Sequence, residues 1–273
     1  MRRIFAAFLL LLLPLGAAAQ EDDGQGYLER LLHDSLSGAG RDVRIEGFSG
    51  ALSSRATIDR LTIAADQGVW LDAQGLALDW SRAALLRGRI EVNELSAESI
   101  SMPRKPIAEE TVDVPAPEAT AFALPDLPVS VNVETLKVER AELGADVIGQ
   151  DAVLTLDGSA QLADGAGTVA LNAARTDGPE GRFEVDLAYD PSANTASILV
   201  AATEDAGGIV SVLSGIPQSP SIDLRIEGEG PADDLTVDIA LRTESALRLG
   251  GQVTLRGQAL DVDLGGDLRP LVE

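Results

Sequence analysis

The chain has no cysteine, a single histidine and an aromatic content of only 3% in 273 residues. Without cysteine there is no disulfide, no thiolate metal site and no Cys nucleophile. One histidine leaves the usual zinc sets incomplete. His33 stands beside Asp34 on a predicted N-terminal helix, and no GxSxG elbow supplies the serine of a Ser-His-Asp arrangement. Positive charge is also scarce. Lys+Arg number 21 against 44 Asp+Glu, a net charge of −23. That excludes a nucleic-acid phosphate backbone as partner, which is met with Lys and Arg. It also disfavours an anionic leaflet, which attracts basic segments. Acidic faces instead keep exposed strands from pairing with each other.

The acidic clusters do not amount to a site. Asp261, Asp263 and Asp267, and the pair Asp233-Asp234, lack the spacing of a Ca²⁺ loop. Asp261 and Asp263 alternate with Val262 and Leu264, which places them on the wet face of a strand. Gly228-Glu229-Gly230 reads as a turn and completes no G-x-G-x-x-G phosphate cradle. No carboxylate pair sits in a sequence setting that would raise a pKa for acid-base work. The expectation is a protein without catalysis, cofactor or metal.

What the chain does hold is aliphatic. Hydrophobic residues make up 45%, mostly Leu, Val, Ile and Ala. The opening "MRRIFAAFLLLLLPLGAAAQ" has Arg2 and Arg3, an apolar run from Ile4 to Leu13, and Ala17-Ala18-Ala19 before Gln20. This is the layout of a secretory signal, shorter than the about 20 residues a spanning helix needs. Residues 1–19 are therefore expected to direct export, with cleavage after Ala19. An uncleaved inner-membrane anchor is the alternative, and both put the body in the periplasm. Leu28, Leu31, Leu32 and Leu36 then line one face of a short amphipathic helix.

From Asp42 the period is two. Val43 and Ile45 alternate, then Ile58, Leu61 and Ile63 with one phase slip that predicts a bulge. Leu76, Leu78 and Trp80 share a face, followed by a short helical turn and by Ile90 and Val92. This first β unit is expected over 20–102. Residues 103–128 carry six prolines among acids and read as a loop or linker. Alternation resumes over 129–273: Val129, Val131 and Val133; Leu154 and Leu156; Val169, Leu171 and Ala173; Phe183, Val185, Leu187 and Tyr189. It continues at Ile222, Leu224 and Ile226; Leu235, Val237, Ile239 and Leu241; Val253 and Leu255; Leu260, Val262 and Leu264. A short apolar helix is expected within 207–217. Strands that alternate in this way bury one face and wet the other. A second sheet, closure into a barrel, or a gutter filled with lipid would each cover the apolar side, and periodicity does not choose among them.

Residues 47–104 carry a longer ordered pattern. Leu61 and Ile63 lead to Asp66, Gly68, Trp70 and Leu71. Leu78, Asp79, Trp80 and Ser81 follow, then Leu85, Leu86, Gly88 and Arg89, then Val92, Leu95 and Ala97. This resembles the N-terminal region of the TamB subunits of the translocation and assembly module, members of the AsmA-like, bridge-like lipid transfer proteins. Residues 222–257, with Gly-x-Gly-Pro-x-x-Asp at Gly228 to Asp233, resemble a later β unit of that family more loosely. The resemblance implies an elongated, curved antiparallel-rich sheet, a β-groove whose inside carries phospholipid acyl chains from inner to outer membrane. It also implies a partner, the outer-membrane barrel TamA, and a part in outer-membrane protein assembly and secretion. Because the family's members are far longer, this chain is expected to be an N-terminal fragment. Leu76, Leu78, Trp80, Leu154, Leu156, Phe183, Val185, Leu187, Val237 and Ile239 would line the groove, with Leu85 and Leu86 sealing a turn. A β-sandwich scaffold or adhesion module binding protein partners is the alternative.

Overall fold

The structure, a computed structural model, describes residues 42–50, 53–85, 89–105, 130–244, 248–257 and 259–267. The expected signal, N-terminal helix, His33 and Leu86 lie outside these residues, as does most of the proline-rich segment. The elements in chain order are β1 (Asp42–Glu46), β2 (Arg55–Ala65), β3 (Gly68–Trp80), α1 (Arg82–Leu85), β4 (Arg89–Ala97), β5 (Ser99–Met102) and β6 (Ser130–Leu143). They continue with α2 (Ala145–Ile148), β7 (Ala152–Ala163), β8 (Ala166–Arg175), β9 (Gly181–Asp190), β10 (Thr195–Glu204) and α3 (Ile209–Leu213). The last four are β11 (Ile222–Pro231), β12 (Asp234–Thr243), β13 (Arg248–Arg256) and β14 (Ala259–Asp267).

All fourteen strands belong to one curved sheet. Most neighbours are consecutive hairpins, which the sequence encodes locally. The β7–β8 loop is Asp164-Gly165, both left-handed (φ 52 and 74), as a two-residue type I′ turn requires. The exception is the middle. β4 and β5 follow one another along the same lane, both pairing with β3 on one side and with β6 on the other. They run parallel to β6, which demands a crossover between Met102 and Ser130. The ladder therefore joins strands on both sides of the expected linker into one sheet. Among the described residues no second sheet covers it, and β1 and β14, at the two ends of the order, do not pair with each other.

The phase slip at Ile58 to Leu61 is real and two-sided. Ile58 pairs with Leu76 and Leu61 with Ala73, so β3 slips by the same three residues. The slip centres on Gly75, whose φ of 62 suits glycine and where a Cβ would lie 2.4 Å from the Glu98 side chain. Both strands keep their apolar residues on one side as a result. A further register shift falls at Ile63/Ala64.

One expectation needs correction, and two elements had no sequence signal. Gly228-Glu229-Gly230 is not a turn but the end of β11. β10 is a full strand where no alternation was expected, because Leu199 and Ala201 fill its outer positions and make "SILVAA" a continuous apolar run. The turn α2 was also unanticipated.

Two packed clusters sit at one rim of the middle strands, and Val43, Ala73, Ala84, Val92, Ala97 and Val138 are buried apart from them. Ala152, Leu154 and Ile209 form one cluster with Ile148 and Phe183 against it. Ile216 and Ile222 form a second, with Val210, Leu224 and Leu241. Here α2 and α3 close over one rim of the strands.

Candidate functional site

One transverse row of the sheet decides its character. Paired residue by residue, it runs Ala56, Leu78, Leu95, Leu136, Gly158, Leu171, Val185, Val200, Ile226, Ile239, Gly251, Leu264. Every strand from β2 to β14 except β5 contributes, and every member is aliphatic or glycine. At about 4.8 Å per strand the row is roughly 50 Å long. One position along, the row on the opposite face reads Ala77, Ser96, Lys137, Asp157, Asn172, Glu184, Ala201, Arg225, Ala240, Gly250, Gly265. Side chains alternate across a sheet, so one face is aliphatic along the whole path, while the other is polar from Ser96 to Arg225 except at Ala201 and carries only small residues beyond.

The residues expected to line a groove fall on the aliphatic face. Leu78, Val185 and Ile239 are in the row itself. Leu187 is in the next row toward the hairpin rim, paired with Val169 and Ile198, and Val237 pairs with Val253. Leu156 and Phe183 are in the next row toward the capped rim, both across from Ala173. Leu154 lies one step further, under α3. Leu76 pairs with Ile58. Trp80, opposite Val92, donates its indole N–H to the Ser53 carbonyl at 3.1 Å, which ties it to the rim. Leu136, Leu171, Val200 and Ile226 belong to the same surface; Leu171 and Ile226 stood in the alternating sets, while a bulge at Val133/Leu136 hid Leu136 and the continuous apolar run of β10 hid Val200.

This face is open. Leu95 is 37% exposed, Leu187 36%, Leu264 40%, and Leu260 and Val262 59% and 58%. Across β1 to β6, however, Val43, Ala73, Val92, Ala97 and Val138 are buried, and the face is covered at the α2/α3 rim. There Glu204, 3% exposed, accepts the backbone N–H groups of Ile209 and Val210, both at 2.7 Å. Arg175, opposite Leu154 and with a side chain 5% exposed, donates Nε to Asp177 Oδ1 at 3.0 Å and Nη2 to the Asp151 carbonyl at 3.3 Å. Burial pushes the Asp177 carboxyl up, but hydrogen bonds from the Val153 N–H and Arg175 outweigh it and hold the group below the usual range. Arg175 Nη1 and Asn132 Oδ1 are the buried polar atoms without a partner among the described residues.

On the polar face, Arg60 grips Asp72 through two bonds of 3.0 and 2.6 Å, and the hydrogen bond holds Asp72 below the usual carboxylate range. A hollow of about 380 Å³ lies at the hairpin rim, lined by Gln161, Thr168, Tyr189, Ser197 and Glu229 among others, away from the aliphatic row. Among the described residues there is no group of three or more His, Cys, Asp or Glu placed to hold a metal, and no helix long and apolar enough to cross a membrane. The arrangement thus offers a long apolar surface rather than reactive groups. Comparison with protein-family models, curated proteins and solved structures found no match.

Proposed function

We propose that the aliphatic face holds phospholipid acyl chains, as a β-groove of the TamB kind in the bacterial envelope, moving lipid between inner and outer membranes and supporting outer-membrane protein assembly. The observation that carries this reading is the unbroken aliphatic row from Ala56 to Leu264 on a single sheet. A soluble protein rarely leaves a contiguous apolar patch of such extent exposed unless something binds it. Covering one Leu or Val is worth roughly 1.5–3 kcal/mol, so a chain lying along the row gains from many such contacts at once. The surface is smooth and aliphatic, which suits flexible methylene chains better than a flat ring. The polar face stays in water.

In this reading the N-terminal segment brings the groove to the inner membrane, and the outer-membrane barrel TamA is the expected partner. Catalysis has no part in it. The test is photocrosslinking in cells with a benzophenone side chain at Leu78 and, on the opposite face, at Asp79, which accepts a hydrogen bond from Asn93 at 2.9 Å. Radiolabelled lipid attached at 78 and not at 79 supports the groove. Equal or absent labelling, with protein captured at 78, replaces it by the scaffold reading.

A further inference from the structure

We propose that the connection between β10 and β11, residues 205–221, is a displaceable strap: Ile209 and Ile216 hold the place of an acyl chain along the capped rim, and an acyl ester takes that place. β10 and β11 pair directly from Glu204↔Ile222 onward. A tight turn would join them, as 164–165 joins β7 to β8 and 232–233 joins β11 to β12. Ordinary hairpin loops have about 2–5 residues, and connections as long as this one are uncommon and usually functional. Its ends are tied together, the Gly207 N–H donating to the Ser219 carbonyl at 2.7 Å, which makes it a compact Ω-type loop.

The loop folds over the aliphatic face rather than out into water. Residues 206–221 hold no charged side chain, in a chain that is 24% charged. Beneath them runs a further apolar row, Ala173, Phe183, Ala202, Leu224, Leu241. Ile209 belongs to the cluster on which Phe183 packs, and Ile216 to the one on which Leu224 and Leu241 pack. These two side chains cover the row as the methylenes of an acyl chain would. The cover is held under strain: Gln218 and Ser219 sit at φ 65 and 40, left-handed values unfavourable for a residue with a Cβ.

A buried donor at the same rim selects the head of the ligand. Arg175 lies opposite Leu154, and its side chain is 5% exposed. Its Nε and Nη2 bond Asp177 and the Asp151 carbonyl, while Nη1 has no partner among the described residues. The neighbouring loop meets the strap at Gly207: a Cβ there would lie 3.7 Å from Pro179, and Gln150 Nε2 donates to the Gly207 carbonyl at 3.1 Å. Asp177 already balances the guanidinium charge, so the free N–H suits a neutral acceptor, since a buried donor left unpaired is costly. The carbonyl of an acyl ester is such an acceptor, and it stands at the head of the chain that the apolar row would hold. This ligand class rests on the proposed function; the displacement of the strap does not.

The experiment uses the full chain with radiolabelled methyl octanoate and, as a chain without a carbonyl, nonane. Binding is read by retention of label at equal free concentration, and strap movement by amide hydrogen exchange. The expected result is at least about tenfold tighter binding of the ester, with at least about tenfold faster exchange across 209–219 and none of that change in β10 or β11. Arg175→Met combined with Asp177→Asn removes the donor without leaving a buried charge, and should abolish the preference for the ester while the strap still opens. Ile209→Ala should tighten ester binding at least about threefold. Ester binding with unchanged exchange across 209–219 overturns the strap and leaves the groove standing, whose own failure would show as absence of lipid at Leu78. Equal retention of ester and nonane overturns the assignment to Arg175, and no retention of the ester overturns the proposal as a whole.

Discussion

Glu204 reaches from the aliphatic face to the backbone of Ile209, accepting its N–H at 2.7 Å while its other oxygen takes the N–H of Val210. The carboxylate is buried and both its oxygens are used for the start of α3, so this one side chain fastens the helical cap to the rim of the sheet at β10. Glu204→Ala leaves two backbone donors without an acceptor. Each costs about 1–3 kcal/mol when buried, less when water reaches it, so a loss of about 2–3 kcal/mol in urea unfolding is expected. Faster amide exchange in 209–213 should accompany it. A variant as stable as the parent would show that apolar contacts alone hold α3.

The opposite side of the same cap predicts an acid limit. Asp177 receives the Val153 N–H at 2.8 Å and Arg175 Nε at 3.0 Å, and its pKa is lowered. A group depressed on folding stabilises the native state above its unfolded pKa, near 4, and that contribution fades as pH falls through the lower native value. Asp72, held by Arg60, acts in the same direction. Stability should therefore drop below about pH 4. Asp177→Asn should lower stability at pH 7 and narrow the difference between pH 7 and pH 3, as measured by urea midpoints at both.

Glycines on the aliphatic face allow the strands to close up. A Cβ at Gly228 would lie 2.4 Å from the Thr236 carbonyl oxygen, which belongs to the backbone of the next strand and cannot yield. Nothing lies within 4 Å of a Cβ at Gly265. Gly228→Val is expected to destabilise by more than about 2 kcal/mol through forced strand displacement. Gly265→Ala should be tolerated within about 0.5 kcal/mol. Thermal melts of the two variants side by side decide it.

Much of this sheet is written in alternation. Phe183, Val185 and Leu187, or Ile222, Leu224 and Ile226, declare both strand and face, because water on one side and an apolar surface on the other select every second residue. The reading failed where that contrast fades. Leu199 faces the polar side between Asp186 and Glu227, so β10 showed no period. Gly228 and Gly230 looked like a turn because glycine serves turns and close strand approach equally. The parallel pairing of β4 with β6 joins residues such as Leu95 and Leu136 across the proline-rich segment, and no local pattern encodes such a contact. The site's residue types were therefore legible, while its continuity came only with the register.

That continuity separates two meanings of an apolar face. Val200 and Ala201 are adjacent in β10 and lie on opposite sides of the sheet, Val200 between Val185 and Ile226, Ala201 between Glu184 and Arg225. The same new carboxylate can be placed at either. Ala201→Asp should change neither stability by more than about 0.5 kcal/mol nor lipid content, since it joins a hydrated polar row. Val200→Asp puts a charge in the middle of the aliphatic row. Where lipid covers the row, the empty groove still admits water to the half-exposed position, so the fold survives with a modest loss. Bound phospholipid, counted by native mass spectrometry, should fall at least about tenfold, equivalent to about 1.4 kcal/mol. Where protein covers the row instead, Val200→Asp buries an unpaired charge and destabilises by about 3–5 kcal/mol, with no lipid to lose. A folded variant stripped of lipid and an unfolded variant are distinct results, so one substitution tells a lipid-filled groove from a packed interface.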